Sequence, residues 1–222
     1  MRNGKASRLH GIRILHEDPD LIVIEKPAGL LAQALRRGRE PSVEAILTDY
    51  LRKGQARSRR QAFLVHRLDR DTSGVMMVAK SEAVQEYFRS RWNELTEKTY
   101  LARVEGRLAA AGGVLESHLY EDEDLFVRST PDKTKGKFAR TEWRAVGVSG
   151  ATTLVEAVLR TGRRNQIRVQ FADAGHPVAG DAKYGHGKAG QPLCLHAWKL
   201  AFIHPHTRRR MEFETEPPPF AR

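Results

Sequence analysis

Sixteen residues constrain this chain more than any others: His66-Arg67-Leu68-Asp69-Arg70-Asp71-Thr72-Ser73-Gly74-Val75-Met76-Met77-Val78-Ala79-Lys80-Ser81. The polar first half closes on Thr72-Ser73-Gly74, a turn signal, because glycine admits φ > 0 and hydroxyls bond nearby backbone. Val75 to Ala79 then reads as a buried strand. Ser81 offers a helix N-cap, with Glu82 placed favourably toward the helix dipole. Asp69 is thereby set between Arg67 and Arg70 on a tight loop feeding a rigid strand, where chemical groups concentrate. A solvated charge run is the plainer alternative. Local physics alone favours it, since exposed ion pairs are common and contribute little.

The other bounds come from the whole chain. Its 222 residues allow one large domain or two small ones. No linker, internal repeat or low-complexity block is visible, so the expectation is a flexible basic arm over 1–10 and a single domain over 11–222. The formal charge of +11 predicts attraction to polyanions, nucleic acid first and an anionic membrane second. Cys194 is the one cysteine, which excludes an internal disulfide and every multi-cysteine zinc site; its apolar neighbours place it in the core. No stretch reaches the roughly 20 apolar residues of a membrane helix, and the N-terminus lacks a secretory h-region, so a cytoplasmic location is expected. The nine histidines do not group as metal ligands.

Along the chain, Asp18-Pro19-Asp20 reads as a turn before a buried strand, Leu21 to Ile24, which Lys26-Pro27-Ala28-Gly29 stops. Arg36, Arg37 and Arg39 fall in an exposed loop. Ser42 starts a helix burying Val43, Ile46, Leu47, Tyr50 and Leu51, with Gly54 suited to its C-cap. Arg57 to Arg60 is a second basic loop. Val84, Phe88, Trp92 and Leu95 trace another helix, whose aromatic stripe reads as core. Strands are expected at Thr99 to Val104, Thr141 to Val146 and Thr152 to Leu159. Residues 120–140 read as one long charged loop, either disordered or used, whose tip at 131–137 carries lysines that suit phosphate contacts and reads equally as a solvated hairpin tip. Ile167, Phe171 and Ala174 repeat at helical spacing, putting Arg168 on a helix that Gly175 ends. A terminal hairpin joins Leu200 to Pro205 with Met211 to Phe213. Long antiparallel-looking strands with two or three helices make the class α+β.

No phosphate-cradling glycine loop, dinucleotide fingerprint or nucleophile elbow is present. What remains is an acidic residue among arginines, a Lys98-Thr99-Tyr100 strand and a helix start at Gln166-Ile167-Arg168. His66-Arg67-Leu68-Asp69 with Thr72-Ser73-Gly74-Val75 resembles the signature of the RluA class of RNA pseudouridine synthases. Ile24-Glu25-Lys26-Pro27-Ala28-Gly29-Leu30, Lys98-Thr99-Tyr100-Leu101-Ala102, Thr161-Gly162-Arg163, Gln166-Ile167-Arg168-Val169, Gly175-His176-Pro177, Gly180-Asp181, Tyr184-Gly185, Leu195-His196-Ala197 and Phe202-Ile203-His204-Pro205 resemble that family in the same order. The resemblance runs from about Ile14 to Phe213. Asn165 and Gln170 depart from it, standing where the family commonly has histidine.

The resemblance implies a pseudouridine synthase fold: a central mixed, mainly antiparallel sheet flanked by helices and loops around an RNA-binding cleft. It implies no separate N-terminal RNA-binding domain, no metal and no cofactor, because the reaction is an isomerisation. Asp69 is identified with the family's catalytic aspartate, Arg168 with the arginine that pairs with it, and Tyr100 with the active-site tyrosine. Arg67 resembles the residue that enters the RNA where the flipped base departed. Leu68 and Ile167 line the uracil site on this reading, Arg163 faces RNA, and His66 orders the loop beside it. The expected partner is a tRNA or rRNA stem-loop, acted on by a monomer. The readings set against this are a non-catalytic RNA-binding or ribosome-assembly factor on the same scaffold, and a hydrolase, for which Asp71 is the only nearby second carboxylate.

Overall fold

A computed structural model of the chain describes residues 9–34, 40–55 and 57–222. Most of the expected basic arm and the arginines at 36, 37 and 39 lie outside the described residues. The chain divides into two compact units, residues 1–96 with 199–215, and residues 97–198 with 216–222. Two of the three crossings between them fall inside strands, which explains why the sequence shows no linker there.

The first unit is built on β1 (Arg13–Glu17), β2 (Leu21–Lys26) and β4 (Ser73–Ala79), paired antiparallel in that order. A two-residue strand, β3 (Phe63–Leu64), pairs with the end of β4. Alternate residues Leu21, Val23, Val75, Met77 and Ala79 share one face and pack with Phe88, Leu200 and Phe202. Ile22, Ile24, Met76 and Val78 on the other face are also fully buried, so both faces are covered and the strands read as continuous apolar runs.

Helix α1 (Val43–Arg52) starts as expected, its Ser42 hydroxyl accepting from Ala45 N at 3.3 Å. Its left-handed C-cap is Lys53 rather than Gly54, which follows at φ +77°. Tyr50 is half-buried, since its hydroxyl reaches out to donate to Glu17. The second expected helix is two: α2 (Glu82–Arg89), capped by Ser81, and α3 (Trp92–Leu95). Arg91, at φ −134°, breaks them apart. The side chains at 84, 88 and 95 are still buried, so helical spacing continued through a turn it did not reveal.

The second unit carries β5 (Thr96–Glu105, whose first residue belongs to the other unit), β6 (Gly112–Glu121), β7 (Val127–Thr130), β8 (Lys137–Ser149) and β9 (Thr152–Leu159). Antiparallel pairing sets them in the order β5-β9-β8-β6-β7. The expected loop over 120–140 is therefore mostly strand: β7 folds back on β6 through a turn at 122–126, and only 131–136 forms the exposed tip. Polar and apolar residues alternate too irregularly there for a period-2 pattern to show. Helix α4 (Gln166–Asp173) buries Ile167 and Phe171 against Ala102, Val104, Val155 and Ala157. Strand β10 (Leu195–Ile203) crosses from this unit into the first, where it pairs with β11 (Arg210–Glu214) as the expected hairpin. Cys194, expected in the core, is half-buried, and burial raises its thiol pKa. The architecture is α+β.

Candidate active site

The residues singled out by sequence divide between the units. In the first, β2 ends at Lys26 directly opposite Gly74 of β4, and Gly74 takes φ +114° where the chain leaves the Asp69 loop. Lys26 is fully buried. Its ammonium donates to the carbonyls of Pro27 (2.9 Å), Leu30 (2.8 Å) and Arg70 (2.9 Å). Three donors meet three carbonyls, two from the segment after β2 and one from the loop carrying Asp69. Gly29 N donates to Arg70 O at 2.9 Å, and Arg70 Nε returns a bond to Gly29 O at 3.2 Å. Burial pushes the Lys26 pKa down to about 8, while the Asp71 and Asp69 carboxylates act in the opposite direction. The loop is thus clamped on a buried cation, and Asp69 lies within its field.

Asp69 is half-buried, Arg67 beside it is exposed and Leu68 is buried. The turn closes through Thr72 N donating to Asp69 O at 3.2 Å. His66 Nε2 accepts from Met77 N at 3.0 Å, and its ring stacks on Trp92 with centroids 4.5 Å apart. That is an ordering role: the imidazole fastens the start of the loop to the strand at its end. Among the described residues, the Thr72 hydroxyl is buried with no hydrogen-bond partner. An unpaired buried donor costs about 1–3 kcal/mol. Thr72→Val is accordingly expected to stabilise the fold by about 1 kcal/mol, raising the melting temperature by about 2–4 °C. A fall of that size in a thermal melt would overturn the assignment.

In the second unit Tyr100 sits on β5 opposite Ala157, half-buried beside the core. Two residues earlier on the same strand, Lys98 is buried. Desolvation lowers its pKa to about 8, with the Arg163 charge adding to the effect. Helix α4 opens at Asn165, held in the left-handed region (φ +52°). Its first turn is organised by Gln166, whose Oε1 accepts from Thr161 Oγ1 (2.8 Å) and Arg163 N (3.0 Å). The same amide donates to Arg140 O and Thr141 Oγ1 at 3.0 and 2.9 Å. Thr141 Oγ1 donates to Gln170 Oε1 at 2.6 Å. Gln170 Nε2 in turn reaches Leu115 O and Ala139 O at 3.1 and 3.2 Å. The glutamine in the histidine's place is therefore part of a satisfied buried network tying α4 to β6 and β8. Arg163 is exposed, its Nε bound to Phe138 O at 2.9 Å.

Arg168 meets a partner the sequence did not single out. Its Nε and one terminal nitrogen donate to the two oxygens of Asp181, at 2.7 and 2.8 Å. The Asp181 side chain is fully buried, and Oδ1 also accepts from Lys183 N and Tyr184 N at 2.9 and 3.0 Å. The Tyr184 ring lies 5.2 Å from the guanidinium carbon, and its hydroxyl donates to Asn165 Oδ1 at 3.1 Å. Burial works to raise the Asp181 pKa, but Arg168 and the backbone donors outweigh it and hold the carboxyl below its ordinary 3.8. Gly180 is required beside it, since a Cβ there would lie 2.0 Å from Pro192 O.

The fold does bring Asp18, Asp20 and His204 together, their ligand atoms within 4.8 Å of one another. His204 Nδ1 accepts from His206 N and Thr207 N, so the other nitrogen carries the proton and donates to Asp18 Oδ2 at 3.1 Å. This is a hydrogen-bonded knot at the start of β2, with His16 on the same carboxylate oxygen at 2.8 Å.

Comparison with known proteins gives these halves a common context. Residues 20–173 match a family model described as RNA pseudouridylate synthase. The chain is 34% identical over 218 residues to ribosomal large subunit pseudouridine synthase D of Nitrosomonas europaea, covering 93% of this chain and 62% of that protein. It is 33% identical to the dual-specificity RNA pseudouridine synthase RluA of Yersinia pestis, covering 91% of this chain and 98% of the relative. The chain thus spans under two thirds of the first of these and nearly all of the second. Among solved structures, human RNA pseudouridylate synthase domain containing 4 superposes with TM-score 0.73 at 25% identity, covering 93% of this chain and 89% of the other.

Proposed function

The chain belongs to the RNA pseudouridylate synthase family, and from that premise we propose that it converts uridine in a tRNA or rRNA stem-loop to pseudouridine. The observation that carries this reading is the Asp69 loop. A half-buried carboxylate, flanked by exposed Arg67, is presented on a turn clamped from below by a buried ammonium with three carbonyl partners. A non-catalytic RNA-binding factor has no use for a rigidly mounted carboxylate, which repels phosphate.

The reaction breaks the C1′–N1 bond, rotates the uracil and forms C1′–C5; the C5 proton leaves and N1 ends protonated. Atoms balance without redox change, so the isomerisation needs no electron carrier. Asp69 supplies the carboxylate at the sugar and base. Tyr100 takes the place of the family's active-site tyrosine, its ring available to stack on uracil and its hydroxyl to move a proton. Arg168, mounted on Asp181, takes the place of the family arginine. Arg67 fills the gap left by the flipped nucleotide, which offsets part of the few kcal/mol that unstacking costs. Leu68 and Ile167 are apolar groups for the base, and Arg163 is an exposed cation for phosphate. The protein acts as a monomer in the cytoplasm on this reading.

The test is direct. The purified protein is incubated with unmodified tRNA and rRNA transcripts, and pseudouridine is mapped, with the same mapping in a deletion strain. Conversion at defined uridines is expected. Release of free uracil would indicate a hydrolase, and binding without either product would indicate a non-catalytic factor.

A further inference from the structure

Residues 51–60 hold Arg52, Lys53, Arg57, Arg59 and Arg60 and no acidic residue. Lys53, Arg57, Arg59 and Arg60 are exposed. Several other surface arginines are neutralised: Arg13, Arg91, Arg128, Arg144, Arg160 and Arg164 each sit on a carboxylate. Among the described residues none of these five has an ion-pair partner within 4.0 Å; Lys53 exerts only a longer-range pull on Glu17.

The loop carrying these charges is itself fastened. Arg52 Nε donates to Arg60 O at 3.1 Å, Ser58 N to Gln55 O at 2.9 Å, and Ala62 N to Thr48 Oγ1 on α1 at 3.0 Å. Crowding unpaired cations on ordered backbone is unfavourable in the free protein. A polyanion relieves it, and releases its own counterions on binding. Arg60 is seven residues before Arg67, so the two lie within about 25 Å of each other by chain length alone. A single stem can cover that span.

We propose that the loop Arg57–Arg60 is a docking surface for the phosphate backbone of the RNA, gripping its stem away from the modified uridine and without regard to sequence. The proposal rests on the RNA reading above. An anionic membrane is the weaker fit, because residues 53–61 offer no aliphatic or aromatic anchor larger than alanine.

The test compares the wild type with the triple variant Arg57→Gln/Arg59→Gln/Arg60→Gln, on a synthetic RNA stem-loop from about 50 to 200 mM salt. Three lost phosphate contacts are expected to flatten the slope of log K against log salt by about 2–3 and to weaken low-salt binding at least about tenfold. The conversion rate at saturating RNA stays unchanged. Arg57→Lys/Arg59→Lys/Arg60→Lys restores most of the slope, since a point charge suffices for phosphate; a fold lost by the glutamine variant would not be distinguished from docking without it. An unchanged slope in the glutamine variant overturns the proposal. So does a loss confined to phosphatidylserine vesicles, which assigns the loop to a membrane. Because binding is read without turnover, a wild type that binds but makes no pseudouridine would overturn the proposed activity while leaving this surface standing.

Discussion

Asp69→Asn is expected to bring pseudouridine formation down by at least about 10²–10⁴-fold while leaving the melting temperature and the RNA affinity close to wild type. The substitution preserves size and the backbone bond that closes the turn, because Thr72 N donates to the backbone oxygen of residue 69 and not to its side chain. The clamp is untouched, since the three carbonyls on Lys26 come from residues 27, 30 and 70. What changes is charge. Asp69 is one of two carboxylates that raise the Lys26 pKa against burial, and its neutralisation moves that pKa further down. Single-turnover conversion and filter binding on one RNA separate the two effects. Normal conversion by the asparagine variant would remove Asp69 from the chemistry.

The parts of this picture that the sequence made legible are those written in neighbouring residues. Ser42 and Ser81 cap helices because a hydroxyl bonds an amide three residues on. The apolar run after Gly74 is a strand buried on both faces. Asp69 stood out locally only as a charged turn; its ordered set of companion motifs raised it above that. What stayed hidden depends on partners far along the chain. Lys26 reads as a charge ending a strand, and only the fold brings Arg70 O to it across 44 residues. Asp181 reads as a turn residue after Gly180, yet it holds Arg168. Gln166 and Gln170 are four residues apart, a spacing that puts them on one helix face, but Thr141 between them was not visible. Strands β6 and β7 escape a sequence reading because polar and apolar residues alternate irregularly along them, and the break between α2 and α3 does so because buried residues keep helical spacing across it.

Asp181→Asn tests the least legible of these contacts. Its side chain is fully buried and that of Arg168 is 11% exposed, so the bidentate pair has little water to replace a lost partner. Removing one charge of a buried pair leaves the other under-compensated, at a cost of about 3–5 kcal/mol. For a chain of this length that is a fall of about 6–20 °C in melting temperature. The asparagine amide also turns donors toward a guanidinium that can only donate. The pH dependence has a definite sign. Asp181 has its pKa lowered by folding, so its stabilisation is present above the ordinary value of 3.8 and is lost as pH falls through the folded value. Wild-type and variant melting temperatures are therefore expected to converge in acid below about pH 4. A gap that persisted there would assign the loss to packing instead. Replacing the charge of both partners, as Arg168→Met/Asp181→Asn, removes the uncompensated cation, keeps an oxygen for the amides of Lys183 and Tyr184, and is expected to recover part of the stability. Conversion is not expected to recover with it. Stability regained without activity would mark Arg168 as a cation retained for the reaction, with Asp181 there to hold it in place.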